Sequence, residues 1–223
     1  MLTAVWASHN PRYGRKASTA ETIRRPSFLV SHNARSDCGG LPARRLGGHK
    51  GAFCLSPRVS HPLKTDWQRH VLASSGYLEL GMFDDAAMVL EEIAPEDKTR
   101  NEVLGARINL YMAAKKWNMA AAVASHLVKV EPENEVWWIS LAYSVRRVEG
   151  VEKAEAILLR AQSIHPKVAM IAFSLACYAS VTGRMDEAKE RLQHAIELDK
   201  EFRRLALDDE DLRPLWDWIA GLE

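Results

Sequence analysis

The stretch that decides the fold runs from Pro132 to Pro166 and reads PENEVWWISLAYSVRRVEGVEKAEAILLRAQSIHP. Its two prolines are 34 residues apart and enclose two apolar segments of helical period, separated by a polar break at Glu149-Gly150. Proline cannot continue a helix, so the two prolines mark the ends of consecutive helical hairpins. The same period recurs on both sides, which indicates a repeat protein rather than a chain built around one active site.

The chain divides into four repeats at about 67–100, 101–134, 135–168 and 169–202. One position in each repeat is always alanine: Ala86, Ala120, Ala154 and Ala188. A small side chain lets two helices approach to the short end of the usual range of about 8–10 Å. The pattern predicts helices at about 66–80, 83–94, 99–113, 117–130, 135–148, 151–164, 168–182 and 185–198.

These positions resemble the tetratricopeptide repeat (TPR) family. Repeat 3 matches that pattern best, with Trp138, Leu141, Ala142, Ala154, Leu158, Ala161 and Pro166. Repeat 2 departs from it, because Arg107 stands where a buried leucine is usual. The resemblance implies an all-α fold: a right-handed α-solenoid of four helix–turn–helix repeats plus a C-terminal capping helix. The composition of residues 1–62 adds a disordered N-terminal extension before it.

The segment after Leu198, DKEFRRLALDDEDLRPLWDWIAGLE, resembles the closing motif that follows the last repeat in many bacterial TPR arrays. A helix at about 211–220 would place Leu212, Leu215, Trp216 and Ile219 on one face. We expect residues 203–223 to cover the apolar edge of repeat 4, because terminal repeats need a polar outer surface. The TPR domain would then span residues 63–223.

Residues 1–62 have a different composition from the repeats. Ser, Gly and Pro occupy 18 of these 62 positions, and ten Lys/Arg face two Asp/Glu, a balance of +8. We predict a disordered basic extension. Three interpretations stay open: an inert extension or mis-assigned start, a targeting segment, or a basic arm that contacts nucleic acid.

The sequence carries no nucleotide-binding, metalloprotease or hydrolase motif, so we predict no catalytic, cofactor-binding or metal-binding residues and no enzyme activity. Three cysteines at unrelated spacings fit a reducing compartment, which favours a cytoplasmic protein. No apolar run approaches the length of a membrane span.

In TPR proteins the first helix of each repeat lines a concave surface, and the resemblance carries those positions onto this chain. The implied groove residues are Asn109, Met112, Ile139, Tyr143, Arg146, Arg147, Phe173 and Cys177. Ile139 and Phe173 fit the core as well as the groove, whereas Tyr143 and the two arginines favour the groove. The groups that clamp a chaperone's C-terminal carboxylate are absent, since Val71, Ser75, Ala106, Val136 and Ser140 occupy those positions.

The sequence therefore predicts a non-catalytic scaffold or adaptor that binds a partner polypeptide in the concave groove, without a small-molecule substrate or membrane. Tyrosine and arginine are enriched at the energetic centres of protein interfaces. The alternative is a structural protein that assembles into a homo-oligomer through the ends of the array. Nucleic-acid contact through the basic extension is a weaker alternative.

Overall fold

The computed structural model describes residues 66–222, and within that range every regular element is helical. The helices are α1 (Asp66–Glu79), α2 (Phe83–Glu91), α3 (Asn101–Ala113), α4 (Trp117–Val130), α5 (Glu135–Val148), α6 (Val151–Ile164), α7 (Ala169–Val181), α8 (Met185–Leu198), α9 (Glu201–Asp208), a 3-10 helix (Glu210–Leu215) and α10 (Trp216–Ala220). Consecutive helices pack on one another as a solenoid. The predicted all-α architecture is confirmed, while the extension 1–62 lies outside the described residues.

The turns inside repeats 1, 2 and 4 share one backbone conformation. Two residues after the end of the first helix, each has a residue with positive φ: Gly81, Lys115 and Gly183. At each turn the next amide bonds back across the helix end, as in Met82 N–H to Tyr77 O (2.9 Å) and Lys116 N–H to Tyr111 O (2.7 Å). This is the Schellman arrangement that satisfies the last helical carbonyls. Short turns of this kind make the paired helices antiparallel.

The alanine column lies in the core of the array. Ala86, Ala120, Ala154 and Ala188 are all fully buried. A larger side chain at these positions would overpack the crossing at a cost of about 1–3 kcal/mol. This lack of space explains why alanine recurs at this position every 34 residues.

Arg107 does not disturb the packing of repeat 2. Its guanidinium donates to Glu91 Oε1 at 2.7 Å and to the carbonyl of Leu90 at 3.5 Å, so it bridges α2 and α3. Hydrogen bonds from Arg107, and then from Lys98, lower the pKa of Glu91 to about 2. A polar bridge thus replaces the usual leucine contact at this edge.

The end of the chain differs from the single helix predicted at about 211–220. The structure has α9 at Glu201–Asp208, then the 3-10 helix, then the short α10. Pro214 lies inside the predicted segment, and an interior proline removes a helical hydrogen bond and clashes with the preceding turn. The predicted covering role is confirmed, because Leu212, Leu215 and Ile219 are buried in one cluster with repeats 3 and 4. We call residues 201–220 the cap.

Two helical glycines of repeats 1 and 2 should respond in opposite ways to alanine. At Gly105 a Cβ would lie 2.6 Å from Cη2 of Trp137, whose indole is held by a hydrogen bond to Glu131 Oε2. We expect Gly105→Ala to destabilise the protein by about 1–3 kcal/mol, more than the helix propensity gained. At Gly76 a Cβ meets no atom within 4 Å, so Gly76→Ala should stabilise by about 0.5–1 kcal/mol. Urea unfolding of both variants checks the pair, and stabilisation by Gly105→Ala would contradict this packing.

Candidate functional site

The predicted groove residues lie on the first helices of repeats 2, 3 and 4. Asn109, Tyr143 and Cys177 occupy equivalent positions of α3, α5 and α7, spaced by the repeat length. They differ in exposure. Asn109, Ile139, Tyr143 and Arg146 are partly buried and Arg147 is exposed, whereas Met112, Phe173 and Cys177 are buried.

Phe173 and Cys177 lie beneath the cap and belong to the core. Both have no exposed surface, and the Phe173 ring packs against Phe202 of α9 with their centroids 5.2 Å apart. Of the two alternatives left open for Phe173, the structure supports the core. The resemblance had assigned both residues to the groove because α9, whose Phe202 covers Phe173, was not predicted. Met112 is likewise buried, in a cluster with Trp137 and Leu127.

Arg146 is held by the chain itself. Its Nη1 donates to Asp211 Oδ2 at 2.5 Å, and its guanidinium lies 5.0 Å from the centroid of the Tyr178 ring. Burial lowers the pKa of Arg146, but the hydrogen bond and the charge of Asp211 outweigh it, so the pKa is raised overall. A guanidinium that already pairs with a carboxylate is not free to meet one from a partner.

The cap that supplies Asp211 is part of the fold rather than a loose lid. Displacing it would expose Phe202, Leu212, Leu215 and Ile219, all buried. Full burial of one such side chain contributes about 1.5–3 kcal/mol, so the four together oppose any opening strongly. The Arg146 pair is therefore a permanent element of this face.

Arg147, one position further along α5, is arranged differently. Its guanidinium lies 3.6 Å from the ring centroid of Tyr143 and 4.9 Å from that of Trp117. The two rings meet edge to face with centroids 5.9 Å apart. Arg147 donates a hydrogen bond to the carbonyl of Tyr143, and no acidic side chain of the described residues pairs with it. We call Trp117, Tyr143 and Arg147 the aromatic–arginine stack.

A shallow apolar notch of about 20 Å³, with room for about one water molecule, lies beside the stack, between α5 and α7. Its lining side chains come from both helices and from Leu158 below them: Ile139, Tyr143, Leu158, Met170, Ser174, Cys177 and Tyr178. Tyr143 belongs to the notch and to the stack, while Tyr178 belongs to the notch and lies under Arg146. Burial raises the pKa of both phenols, so both stay protonated at neutral pH.

Cys177, Asp209 and Asp211 form the one group of potential metal ligands within the described range. Their ligand atoms lie within 4.8 Å of one another. Arg146 already neutralises Asp211, and Asp209 accepts the backbone N–H of Asp211 at 3.0 Å. Burial raises the pKa of the Cys177 thiol well above its ordinary value, which disfavours the thiolate that a metal requires. We assign the group to the ion-paired network of the cap.

Sequence reasoning missed the contribution of the second helices and of the cap to this face. Trp117 begins α4, the second helix of repeat 2, yet its ring reaches the stack on α5. Asp211 reaches Arg146 from 65 positions further along the chain. The periodic pattern describes what each repeat shares, and neither contact is shared among repeats.

Fold and face together define the class, a helical repeat array with one partly open inner surface, and comparisons with known proteins agree. TTC0263, a thermophilic TPR protein of Thermus thermophilus, superimposes with a TM-score of 0.54 and 20% identity, over 70% of this chain and 99% of that one. MamA superimposes with a TM-score of 0.52 and 18% identity, over 66% of this chain and 88% of its own. The chain thus has the tetratricopeptide-repeat fold, and the resemblance seen in the sequence is confirmed.

One relative found by sequence similarity is a much longer protein than this chain. Lipopolysaccharide assembly protein B of Haemophilus influenzae is 23% identical over 156 residues, which cover 68% of this chain and 39% of that protein. The chain therefore spans about two fifths of that relative's length. No protein-family model matches the chain. None of the described helices has the length and apolar character needed to cross a membrane.

Proposed function

We propose that the protein is a non-catalytic scaffold that binds a partner polypeptide through the face formed by Asn109, Ile139, Tyr143 and Arg147. The observation that carries the proposal is the aromatic–arginine stack, an exposed arginine supported by Tyr143 and Trp117. Tyrosine, tryptophan and arginine are the residues on which protein interfaces concentrate their binding energy. The tetratricopeptide-repeat fold of the neighbouring structures supports an interaction role.

The notch gives this face a second element of recognition. Ile139 and Met170 provide an apolar lining, and the hydroxyl of Ser174 lies beside them. Binding sites for polypeptides combine an apolar anchor with a few polar groups that fix its orientation. We place the interaction in the cytoplasm, in keeping with the odd number of cysteines.

The proposal is tested by affinity capture from lysate of the source cells with the full chain and a Tyr143→Ala/Arg147→Glu variant. We expect a partner that the parent chain retains and the variant loses. A variant altered at Met119 and Lys129, both exposed on α4, should retain it. Circular dichroism establishes equal folded content. Equal recovery by all three proteins would remove the groove from the proposal.

A second candidate function, self-assembly, is favoured by the first repeat. Leu72 is 57% exposed, while its equivalents in repeats 2 and 3, Ala106 and Ser140, are buried. Leu80 and Met88 of repeat 1 are also exposed. A homo-oligomer would cover this edge. Sedimentation of the parent chain and of Leu72→Gln over a range of concentrations tests this, and a strict monomer throughout would exclude it.

A further inference from the structure

The notch between α5 and α7 is flanked by two arginine–tyrosine pairs. On one side Arg146 lies over Tyr178, and on the other side Arg147 lies over Tyr143. Both tyrosines line the notch. The two pairs thus present the same chemistry, a cation against a phenol ring, at either edge of one apolar depression.

The first pair already holds a ligand, and the chain provides it. Asp211 of the 3-10 helix binds Arg146, and Leu212, the next residue, is completely buried in the core of repeats 3 and 4. Asp209 begins this turn and accepts the backbone N–H of Asp211. This face of the solenoid therefore accommodates an acidic turn that is followed directly by an apolar side chain.

The second pair has the cation without the carboxylate. Arg147 is exposed, and no carboxylate of residues 66–222 forms an ion pair with it. Its guanidinium is fixed by two rings and by the carbonyl of Tyr143, so little side-chain entropy is lost when a ligand binds. A preorganised guanidinium is suited to a side-chain carboxylate, with which it forms strong charge-assisted hydrogen bonds.

From this we infer that the partner's binding segment is acidic, with a side-chain carboxylate for Arg147 and a neighbouring apolar side chain that packs on the rim of the notch at Ile139 and Met170, chemically like the protein's own residues 209–212. The inference rests on the proposed function and specifies its ligand. The carboxylate that we infer belongs to a side chain within the partner's chain rather than to a chain terminus, because the carboxylate that binds Arg146 is the side chain of Asp211.

Three peptides blocked at both ends test the inference by fluorescence polarisation on the full chain. The first copies residues 206–215, ALDDEDLRPL. The second has its Asp and Glu residues replaced by the amides, and the third has its leucines replaced by alanine. We expect the first to bind about tenfold or more tighter than either of the others, because a charge-assisted bond and an apolar anchor are each worth that much. Binding should weaken as salt rises.

Two variants locate the site and one controls for charge. Arg147→Glu and Arg147→Met should each weaken the first peptide by about tenfold, and the methionine keeps contact with the rings so that folding is preserved. Lys129→Glu is the matched control. Lys129 and Arg147 are both exposed cations in the last turn of a helix, but within residues 66–222 Lys129 makes no cation–π contact of the kind that holds Arg147. It should leave binding within about threefold of the parent value, as expected for a distant screened charge.

Each other outcome overturns the inference in a distinct way. Equal binding of the amide peptide, still lost in Tyr143→Ala, would exclude the acidic chemistry but leave the groove. Equal loss in Lys129→Glu would reduce the effect to non-specific charge. If no peptide binds while the lysate still yields a partner that needs Tyr143 and Arg147, the ligand chemistry is wrong and the scaffold function stands. Failure of both experiments removes both proposals.

Discussion

Replacing Trp138 with alanine is expected to lower the free energy of unfolding by about 3–5 kcal/mol. The indole is 3% exposed and lies in the buried cluster that joins repeats 3 and 4. Its Nε1 donates to the carbonyl of Pro132 at 2.9 Å, and Arg160 lies 5.5 Å from the ring centroid. The substitution therefore removes a large apolar volume and one of the two hydrogen bonds to the Pro132 carbonyl, the other being to His165 Nε2 at 3.0 Å. Urea unfolding followed by far-ultraviolet circular dichroism measures the change.

Two further variants separate the contribution of the Trp138 ring from that of its N–H donor and from the effect of an exposed site. Trp138→Phe keeps an aromatic ring but removes the N–H donor. It should therefore lower the free energy of unfolding by about 0.5–1.5 kcal/mol, the contribution of one hydrogen bond. Met119→Ala changes a side chain that is 47% exposed and should stay within about 0.5 kcal/mol of the parent. A loss below about 1 kcal/mol for Trp138→Ala would mean that the ring is not packed between repeats 3 and 4.

The fold was predictable because its determinants are local and repeated. Every repeat carries the same small residue at the same helix crossing, and the structure buries all four alanines. The eight helices predicted for the repeats agree with those observed to within about two residues, apart from α2, which ends at Glu91 rather than near 94. Because the pattern occurs in four repeats, the positions of the helices can be read from several repeats independently. An irregular residue such as Arg107 in one repeat therefore does not change the prediction.

The cap was less predictable because it has no repeat to compare with. Its apolar residues indicated burial, and Leu212, Leu215 and Ile219 are buried. The division into α9, a 3-10 helix and α10 depends on Pro214 and on Asp209, whose side chain caps the 3-10 helix. The helical periodicity of residues 211–220 concealed that break.

The site shows the limit of sequence reasoning most clearly at two adjacent arginines. Arg146 and Arg147 look alike in the sequence, and both were assigned to the groove. In the structure Asp211 binds Arg146, while Arg147 lies over Tyr143 and Trp117. Helix geometry separates neighbouring residues by about 100° around the axis, so only the three-dimensional position of the cap decides between them. Whether Arg147 contacts a partner remains a prediction.

The second large effect is expected at Phe202, the residue of α9 that covers repeat 4. Phe202 is 2% exposed and its ring lies 5.2 Å from that of Phe173. Phe202→Ala should lower the free energy of unfolding by about 3–5 kcal/mol. Leu207→Ala, on the same helix but 39% exposed, is the matched control and should cost much less. Urea unfolding compares the two variants.

The labelling rate of the Cys177 thiol shows whether the Phe202→Ala variant opens locally beneath the cap. Cys177 is fully buried beneath the cap, and its raised pKa keeps the thiol protonated and slow to react. In a chain with Cys38 and Cys54 replaced by serine, labelling of Cys177 by a thiol reagent should be slow in the parent and in Leu207→Ala. It should be at least about tenfold faster in Phe202→Ala, because opening rates follow the lost stability. Unchanged stability and unchanged protection would mean that α9 does not seal repeat 4. Burial of α9 would then no longer be a reason to regard the ion pair between Arg146 and Asp211 as fixed, and the division of roles between the two arginines would lose that support.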